Sequence, residues 1–165
     1  MEIYQIDEGQ LFISPDIDDW QPVIDRQITV IFDLDDDLDK GVPGLNPDLR
    51  KELLYLYFPF EDRDLPDLQR LHAMAKLGAD LIRAGYRVLS HCGMGHNRSA
   101  LLAGLILTYL GVDGARAVEL IQRRRSGALY NNSYASYLRS LPSADPLLGA
   151  TPAAGTVWIA PVTPR

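Results

Sequence analysis

The chain has 165 residues, of which 47% are hydrophobic, and its formal net charge at pH 7 is -6. This size suits one domain with a sizeable core, and the negative balance without a basic stripe argues against an extended nucleic-acid surface. The single cysteine, Cys92, excludes an internal disulfide, and no export segment or stretch long enough for a membrane span is recognisable, so we expect a cytoplasmic protein.

Short apolar runs alternate with helical patterns along the chain. This alternation predicts an α/β fold with a central, mainly parallel sheet flanked by helices. The predicted strands cover residues 3–6, 10–13, 28–34, 54–58 and 87–91. The predicted helices cover 16–26 with Asp16 as cap, a segment from near Pro66 to Gly85, 97–110, 113–125, and 133–141 with Asn131 or Asn132 as cap.

Two polar features of the first half have structural explanations. Residues 33–39 contain five aspartates, but the run fails as an EF-hand because Leu38 and Gly44 stand where the loop needs glycine and glutamate. We interpret it as a solvated acidic loop and expect no metal site. His72, on the helix after Pro66, is expected at the surface or at its boundary with the core.

The most informative segment is residues 91–100, His-Cys-Gly-Met-Gly-His-Asn-Arg-Ser-Ala, between an apolar strand and an apolar helix. Cysteine attacks only as its thiolate and therefore needs positive potential around it. Gly93 and Gly95 let the backbone amides converge on an anion at a helix start, and the planar fork of Arg98 suits two phosphoryl oxygens. Ser99 is placed to hydrogen-bond the sulfur. The alternative, a buried structural cysteine, leaves these fixed offsets unexplained.

The pattern His-Cys-x-x-Gly-x-x-Arg-Ser resembles the signature of cysteine-dependent protein tyrosine phosphatases, particularly the small dual-specificity group. The resemblance covers about residues 9–141 and includes Arg125 to Ala128, where Ser126 replaces the usual proline. It implies a phosphocysteine on Cys92 without metal or cofactor. The phosphate-binding loop would comprise Gly93, Met94, Gly95, His96, Asn97 and Arg98, with His91 ordering it. The ring of His96 either faces solvent or tunes the pH dependence.

A thiolate that displaces an alkoxide or phenoxide needs a general acid on a neighbouring loop. The segment 61–67 after the fourth predicted strand offers several carboxylates. In the resembled group the acid is an aspartate about thirty residues before the cysteine, followed by a proline, and this selects Asp62 with Pro66. Asp64 and Asp67 have a structural explanation, because carboxylates stabilise the start of the following helix. Glu61 and Asp64 are the fallback candidates for the acid.

The resemblance implies a phosphatase for phosphotyrosine, and for phosphoserine or phosphothreonine if the cleft is shallow. Two alternatives stay open: a phosphatase for an inositol, sugar, nucleotide or RNA 5′ phosphate, and a module that binds phosphate without turnover. The cluster Arg123 to Arg125 either complements the negative end of its helix or attracts acidic substrates. Residues 1–141 are expected to form the catalytic domain.

The composition shifts to proline, alanine and glycine from residue 142 onward, which predicts a C-terminal tail over 142–165. Within this tail, the apolar residues 156–160 are expected to dock on their own domain or on a second copy of the chain, so a homodimer is one hypothesis.

Overall fold

The polypeptide folds around a five-stranded sheet with the order β1-β2-β5-β3-β4. The computed structural model describes residues 1–7, 9–37 and 53–143. The strands are β1 (Tyr4–Gln5), β2 (Leu11–Ser14), β3 (Val30–Asp33), β4 (Leu54–Tyr57) and β5 (Val88–His91). The last four run parallel, and β1 adds an antiparallel edge to β2. The predicted α/β architecture is therefore confirmed.

Five helices accompany these strands in the described part of the chain. They are α1 (Gln21–Asp25), α2 (Leu68–Arg83), α3 (Arg98–Tyr109), α4 (Gly114–Arg124) and α5 (Asn132–Arg139). The backbone amides of the first turns of α2, α4 and α5 are bonded by the side chains of Asp67, Asp113 and Asn131. These side chains satisfy amides that lack helical partners, which explains where the three helices begin.

The prediction of a first helix over residues 16–26 capped by Asp16 is wrong. Helix α1 begins only at Gln21, and its N-cap position is held by Trp20. The preceding segment 15–20 is irregular and bent instead. In it the side chains of Ile17 and Trp20 are buried in the core, with 2% and 8% of their surface exposed. Burial of these two side chains outweighs the local capping signal of Asp16.

The core has two layers, one on each face of the sheet. In the smaller layer, α1 and its flanking residues pack against the sheet face that includes Phe12, Ile31 and Leu89. The larger layer packs α2 to α5 on the other face. Helix α3 lies at its centre, since every residue from Arg98 to Thr108 is buried. This confirms the predicted buried helix behind the cysteine loop.

No helix in the described part of the chain is long and apolar enough to cross a bilayer. Residues 38–52 and the tail from residue 144 onward lie outside the described residues. The predicted docking of segment 156–160 and the homodimer hypothesis fall on that tail.

Candidate active site

The cysteine loop lies at the carboxyl edge of the central strand. Strand β5 pairs with β2 on one side and β3 on the other, so the loops that follow all three strands meet there. Ligands of open α/β sheets bind at this edge. Helix α3 begins directly after the loop at Arg98, which directs its unpaired amides and positive dipole end toward the loop.

The two glycines of the loop serve different purposes. Gly95 has φ +63°, and a Cβ there would lie 2.4 Å from the carbonyl carbon of Ser14, so both conformation and space require glycine. Gly93 does not belong to the positive-φ residues of the described chain. A Cβ at Gly93 would approach both carboxylate oxygens of Asp35 to 3.2 Å, so this glycine makes room for that side chain.

The thiol of Cys92 is buried, with 2% of the residue exposed. Its Sγ lies 3.4 Å from the hydroxyl oxygen of Ser99 at the start of α3, so the contact expected from sequence is present. Its neighbour His91 faces strand β3, where its Nε2 lies 3.6 Å from Oδ1 of Asp33. The carboxylate of Asp33 also accepts a hydrogen bond from the Tyr55 hydroxyl. The loop-ordering role of His91 stays a prediction.

Arg98 is anchored through both of its terminal nitrogens. Its Nη1 donates to the carbonyls of Leu34 and Phe60 at 3.0 and 3.1 Å, and its Nη2 pairs with Asp35 at 2.8 Å. The buried Nε has no hydrogen-bond acceptor within the described residues. Burial alone would lower the pKa of Arg98, but the charges of Cys92 and Asp35 outweigh burial and raise it. The site thus presents a fixed, charged guanidinium with a donor to spare.

The acidic run after β3 is therefore more than a solvated loop, and that interpretation is wrong for its first members. Asp33 is fully buried, and Asp35 forms the ion pair with Arg98. Asp36 and Asp37 match the expectation, since both are exposed. The side chain of Asp36 is 69% exposed, although its Oδ1 lies 3.6 Å from Nη1 of Arg98. Buried carboxylates need partners, and here the partners are the loop's own cation and histidine.

Asp62 meets the cysteine loop through two amide side chains. Its Oδ2 accepts from Nδ2 of Asn97 at 3.0 Å, and its Oδ1 accepts from Nδ2 of Asn131 at 3.2 Å. The fallback candidates are placed differently: Glu61 forms an exposed ion pair with Arg63, and Asp64 is exposed and meets the Tyr134 hydroxyl through its backbone carbonyl. Asp67 caps α2, as its structural explanation predicts. Of the carboxylates in segment 61–67, Asp62 is the one joined to the loop by these hydrogen bonds.

The cationic cluster at the end of α4 divides into two parts. Arg123 and Arg124 lie in the last turn of the helix, as the dipole interpretation predicts. Arg125 instead turns under the cysteine loop, where its Nη2 donates to the Met94 carbonyl at 2.7 Å and lies 3.3 Å from Nδ1 of His96. Burial, and after it the charge of Arg125, lower the pKa of His96. The ring of His96 is half-buried beside Arg125, and its effect on the pH dependence stays a prediction.

His72 occupies the predicted boundary position, where it joins three helices. Its Nδ1 lies 2.9 Å from the Tyr109 hydroxyl and its Nε2 2.5 Å from the Tyr137 hydroxyl. In the described residues, no group of three or more histidine, cysteine, aspartate or glutamate side chains is arranged to hold a metal ion.

Several contacts of the site were not predicted from sequence. Among them are those of Asp35 with Arg98, of Arg125 with Met94, and of Asp62 with Asn97 and Asn131. Asn131 was recognised only as a helix cap, because capping leaves a local signal and a contact with a distant residue does not. The resemblance over residues 125–128 was the one signal that pointed to the Arg125 region.

Solved phosphatase structures share this architecture. The chain superposes on the active form of Tk-PTP with a TM-score of 0.69 and 20% identity, covering 83% of this chain and 93% of the other. Human DUSP28 matches with a TM-score of 0.69 and 20% identity over 83% of this chain and 90% of its own. The chain has the fold of the small dual-specificity phosphatases.

A further structural match is PTPMT1 in complex with PI(5)P, with a TM-score of 0.68 and 18% identity over 83% of this chain and 92% of that one. No family model and no curated protein matches the sequence. At these identities the likeness establishes the fold, and the chemistry depends on the geometry of the loop.

Proposed function

We propose that the protein is a cysteine-dependent phosphatase that hydrolyses phosphoproteins, with Cys92 as nucleophile and Asp62 as general acid. The observation that carries the proposal is the convergence of four groups at one sheet edge. The Cys92 sulfur lies beside Ser99 and the charged Arg98, and Asp62 is hydrogen-bonded to the same loop through Asn97. An anchored arginine with a spare donor matches a phosphoryl group.

The reaction proceeds in two displacements. The Cys92 thiolate attacks phosphorus, the S–P bond forms, and the ester P–O bond breaks as the leaving oxygen takes a proton from Asp62. Asp62, now a carboxylate, then takes a proton from a water that attacks phosphorus. The S–P bond breaks, inorganic phosphate leaves, and the Ser99 hydroxyl hydrogen-bonds the departing sulfur.

Charge and exposure around the loop favour a phosphoprotein over a substrate with several phosphates. Asp36 and Glu61 are 69% and 75% exposed near Arg98 and Asp62, and they repel extra negative charge. Met94 and Tyr130 expose 66% and 61% of their surface on and beside the loop, which suits contact with an aromatic ring. Phosphotyrosine fits both features. Inositol polyphosphates, nucleoside polyphosphates and RNA would place further phosphates beside the acidic groups.

The test is turnover of p-nitrophenyl phosphate in the presence of EDTA by the wild type and by Cys92→Ser. We expect EDTA-resistant turnover that the substitution abolishes, while phosphate still binds to the variant. Phosphate binding without turnover by the wild type would instead identify a binding module. A panel of phosphopeptides, inositol phosphates and 5′-phosphorylated RNA then ranks the substrate classes, and a preference for inositol phosphates would overturn the phosphoprotein assignment.

The assignment of the acid has its own test. Asp62→Asn should lower turnover of phenyl phosphate, which has a poor leaving group, by about 10² or more and spare phosphate binding, because a positioned acid contributes that much. Asp64→Asn is the matched control, two residues away, and should have little effect. A larger loss for the control would place the acid at Asp64.

A further inference from the structure

The carboxylate of Asp62 is held at both oxygens by amide donors from different parts of the chain. Asn97 comes from the cysteine loop and Asn131 from the N-cap position of α5. The segment around Asp62 is also fixed by Tyr134, whose hydroxyl lies 3.0 Å from the Glu61 carbonyl and 3.2 Å from that of Asp64. Burial, then the charge of Asp62, raise the pKa of Tyr134 to about 12, so this hydroxyl keeps its proton.

Asn97 uses its side chain in an unusual way for its position. It is the N-cap residue of α3 and 1% exposed, yet within the described chain its side chain forms no capping bond. Its Oδ1 accepts from the backbone amide of Asn131 at 3.0 Å, which leaves Nδ2 to face Asp62. Asparagine at a helix start ordinarily caps. Here it joins Asp62 to Asn131, and the first amides of α3 are left for an anion.

Hydrogen bonds to both polar atoms of its side chain fix the orientation of Asn131. Its Oδ1 caps α5 by accepting from the amides of Ser133 and Tyr134. Its Nδ2 has two hydrogens, and its two acceptors are Oδ1 of Asp62 at 3.2 Å and the Arg63 carbonyl at 3.0 Å. Reversing the amide would lose all four contacts. The side chain therefore both starts a helix and orients a carboxylate.

We propose that Asn131 is a positioning residue that, together with Asn97, orients Asp62 for proton transfer. The inference rests on the proposed function. When Asp62 gives its proton to the leaving oxygen, the negative charge that develops on its two oxygens already faces two amide donors. Hydrogen bonds to a charged acceptor are stronger than those to a neutral one, so the interaction strengthens as the proton leaves.

The test replaces Asn131 by serine, which retains a capping hydroxyl and removes both amide donors. Loss of a hydrogen bond to a charged group corresponds to about a 10- to 100-fold lower kcat, which we expect for phenyl phosphate. Turnover of p-nitrophenyl phosphate should fall less than about threefold because its leaving group needs little protonation. The KM and inhibition by inorganic phosphate should stay unchanged. Asn131→Thr, which also keeps a capping hydroxyl and removes the amide donors, should give the same pattern if the serine variant fails to fold.

The matched control is Asn132→Ser, the same exchange at the exposed first residue of α5, and it should behave as the wild type. In the Asp62→Asn background, Asn131→Ser should cause no further loss, since the two residues act through one proton transfer. Additive losses, or equal losses on both substrates, would overturn the role of Asn131 and leave the proposed function intact. An Asp62→Asn variant with wild-type kinetics would overturn the acid assignment and this inference with it.

Discussion

At the scale of single residues, the hydroxyl of Ser99 has one role in the mechanism that we propose. It lies 3.4 Å from the Cys92 sulfur, and both residues are buried. In that mechanism, its hydrogen bond to the departing thiolate assists the second displacement, in which the S–P bond breaks. It contributes less to the first displacement, in which the thiolate is consumed.

Ser99→Ala should therefore slow hydrolysis of the phosphocysteine by about 10- to 100-fold, the range for a lost hydrogen bond to a charged group. Rapid mixing with p-nitrophenyl phosphate should show a burst of nitrophenol followed by slow turnover, and intact mass spectrometry should show the phosphoenzyme. Ser90→Ala is the control: Ser90 is fully buried on β5, and its hydroxyl has no hydrogen-bond partner among the described residues. A burst of equal size in the control would contradict the role of Ser99.

Sequence alone located Cys92, Arg98 and Ser99 because their spacing within one loop is itself the signal. Asp62 needed the resemblance to be distinguished from its neighbours. The contacts of Asp35 and Asn131 were not predicted, because their partners lie 63 and 69 positions away in the chain. A carboxylate after a strand and an asparagine before a helix each have an ordinary local explanation, and nothing local shows which distant side chain they meet.

At the scale of helices and strands, prediction succeeded where periodicity and a cap agreed. Helices α2 and α4 begin at the residues after Asp67 and Asp113, whose side chains bond the first-turn amides. It failed at the start of α1, where a plausible cap precedes Ile17 and Trp20, two residues that the core buries within an irregular segment. Burial of a tryptophan and an isoleucine is worth more than one capping bond, so tertiary packing decided.

His72 joins α2, α3 and α5 and makes the stability of the fold depend on pH. Burial lowers the pKa of His72 below its usual value of about 6.5. The unfolded chain therefore binds a proton there before the folded chain does, so the free energy of unfolding should fall as the pH drops below about 6.5 and level off above it.

Urea unfolding of the wild type and His72→Gln between about pH 8 and pH 5.5 tests this dependence around the ordinary histidine pKa. The free energy of unfolding of the wild type should exceed that of His72→Gln most at the alkaline end, and the difference should shrink as the pH falls. Asn132→Ser is the control, because it changes an exposed residue of α5 that carries no titratable group. If this difference in the free energy of unfolding instead grew as the pH falls, the His72 contacts would favour the protonated ring.

At the scale of the whole molecule, the parallel sheet assembles the site from segments far apart in sequence. The loops after β2, β5 and β3 lie together because parallel strands end at one edge. The alternation of apolar runs and helices predicted such a sheet. It did not predict that β5, the last strand along the chain, would lie at the centre, because strand order depends on how the crossover connections pack.

The predicted boundary between the domain over residues 1–141 and the tail over 142–165 leads to a prediction about shortening the chain. Leu141 still belongs to the folded part, since its carbonyl accepts a hydrogen bond from the Gly114 amide at 2.9 Å. A chain that ends at Ser143 should therefore keep the thermal midpoint and the turnover of the full chain. Under the homodimer hypothesis, analytical ultracentrifugation would show a dimer for the full chain and a monomer for the shortened one. Loss of activity on shortening would place residues after 143 within the catalytic unit.

The hydrogen bond between Asn131 and Asp62 spans 69 positions and has a consequence for the newly made chain. During synthesis the thiol and its arginine leave the ribosome before Asn131 does. A chain that still lacks α5 also lacks the buried side chains of Tyr134 and Leu138, which belong to the core layer shared by α2 to α5. We therefore expect the core and the site to become ordered together, once residues up to Leu141 have left the ribosome.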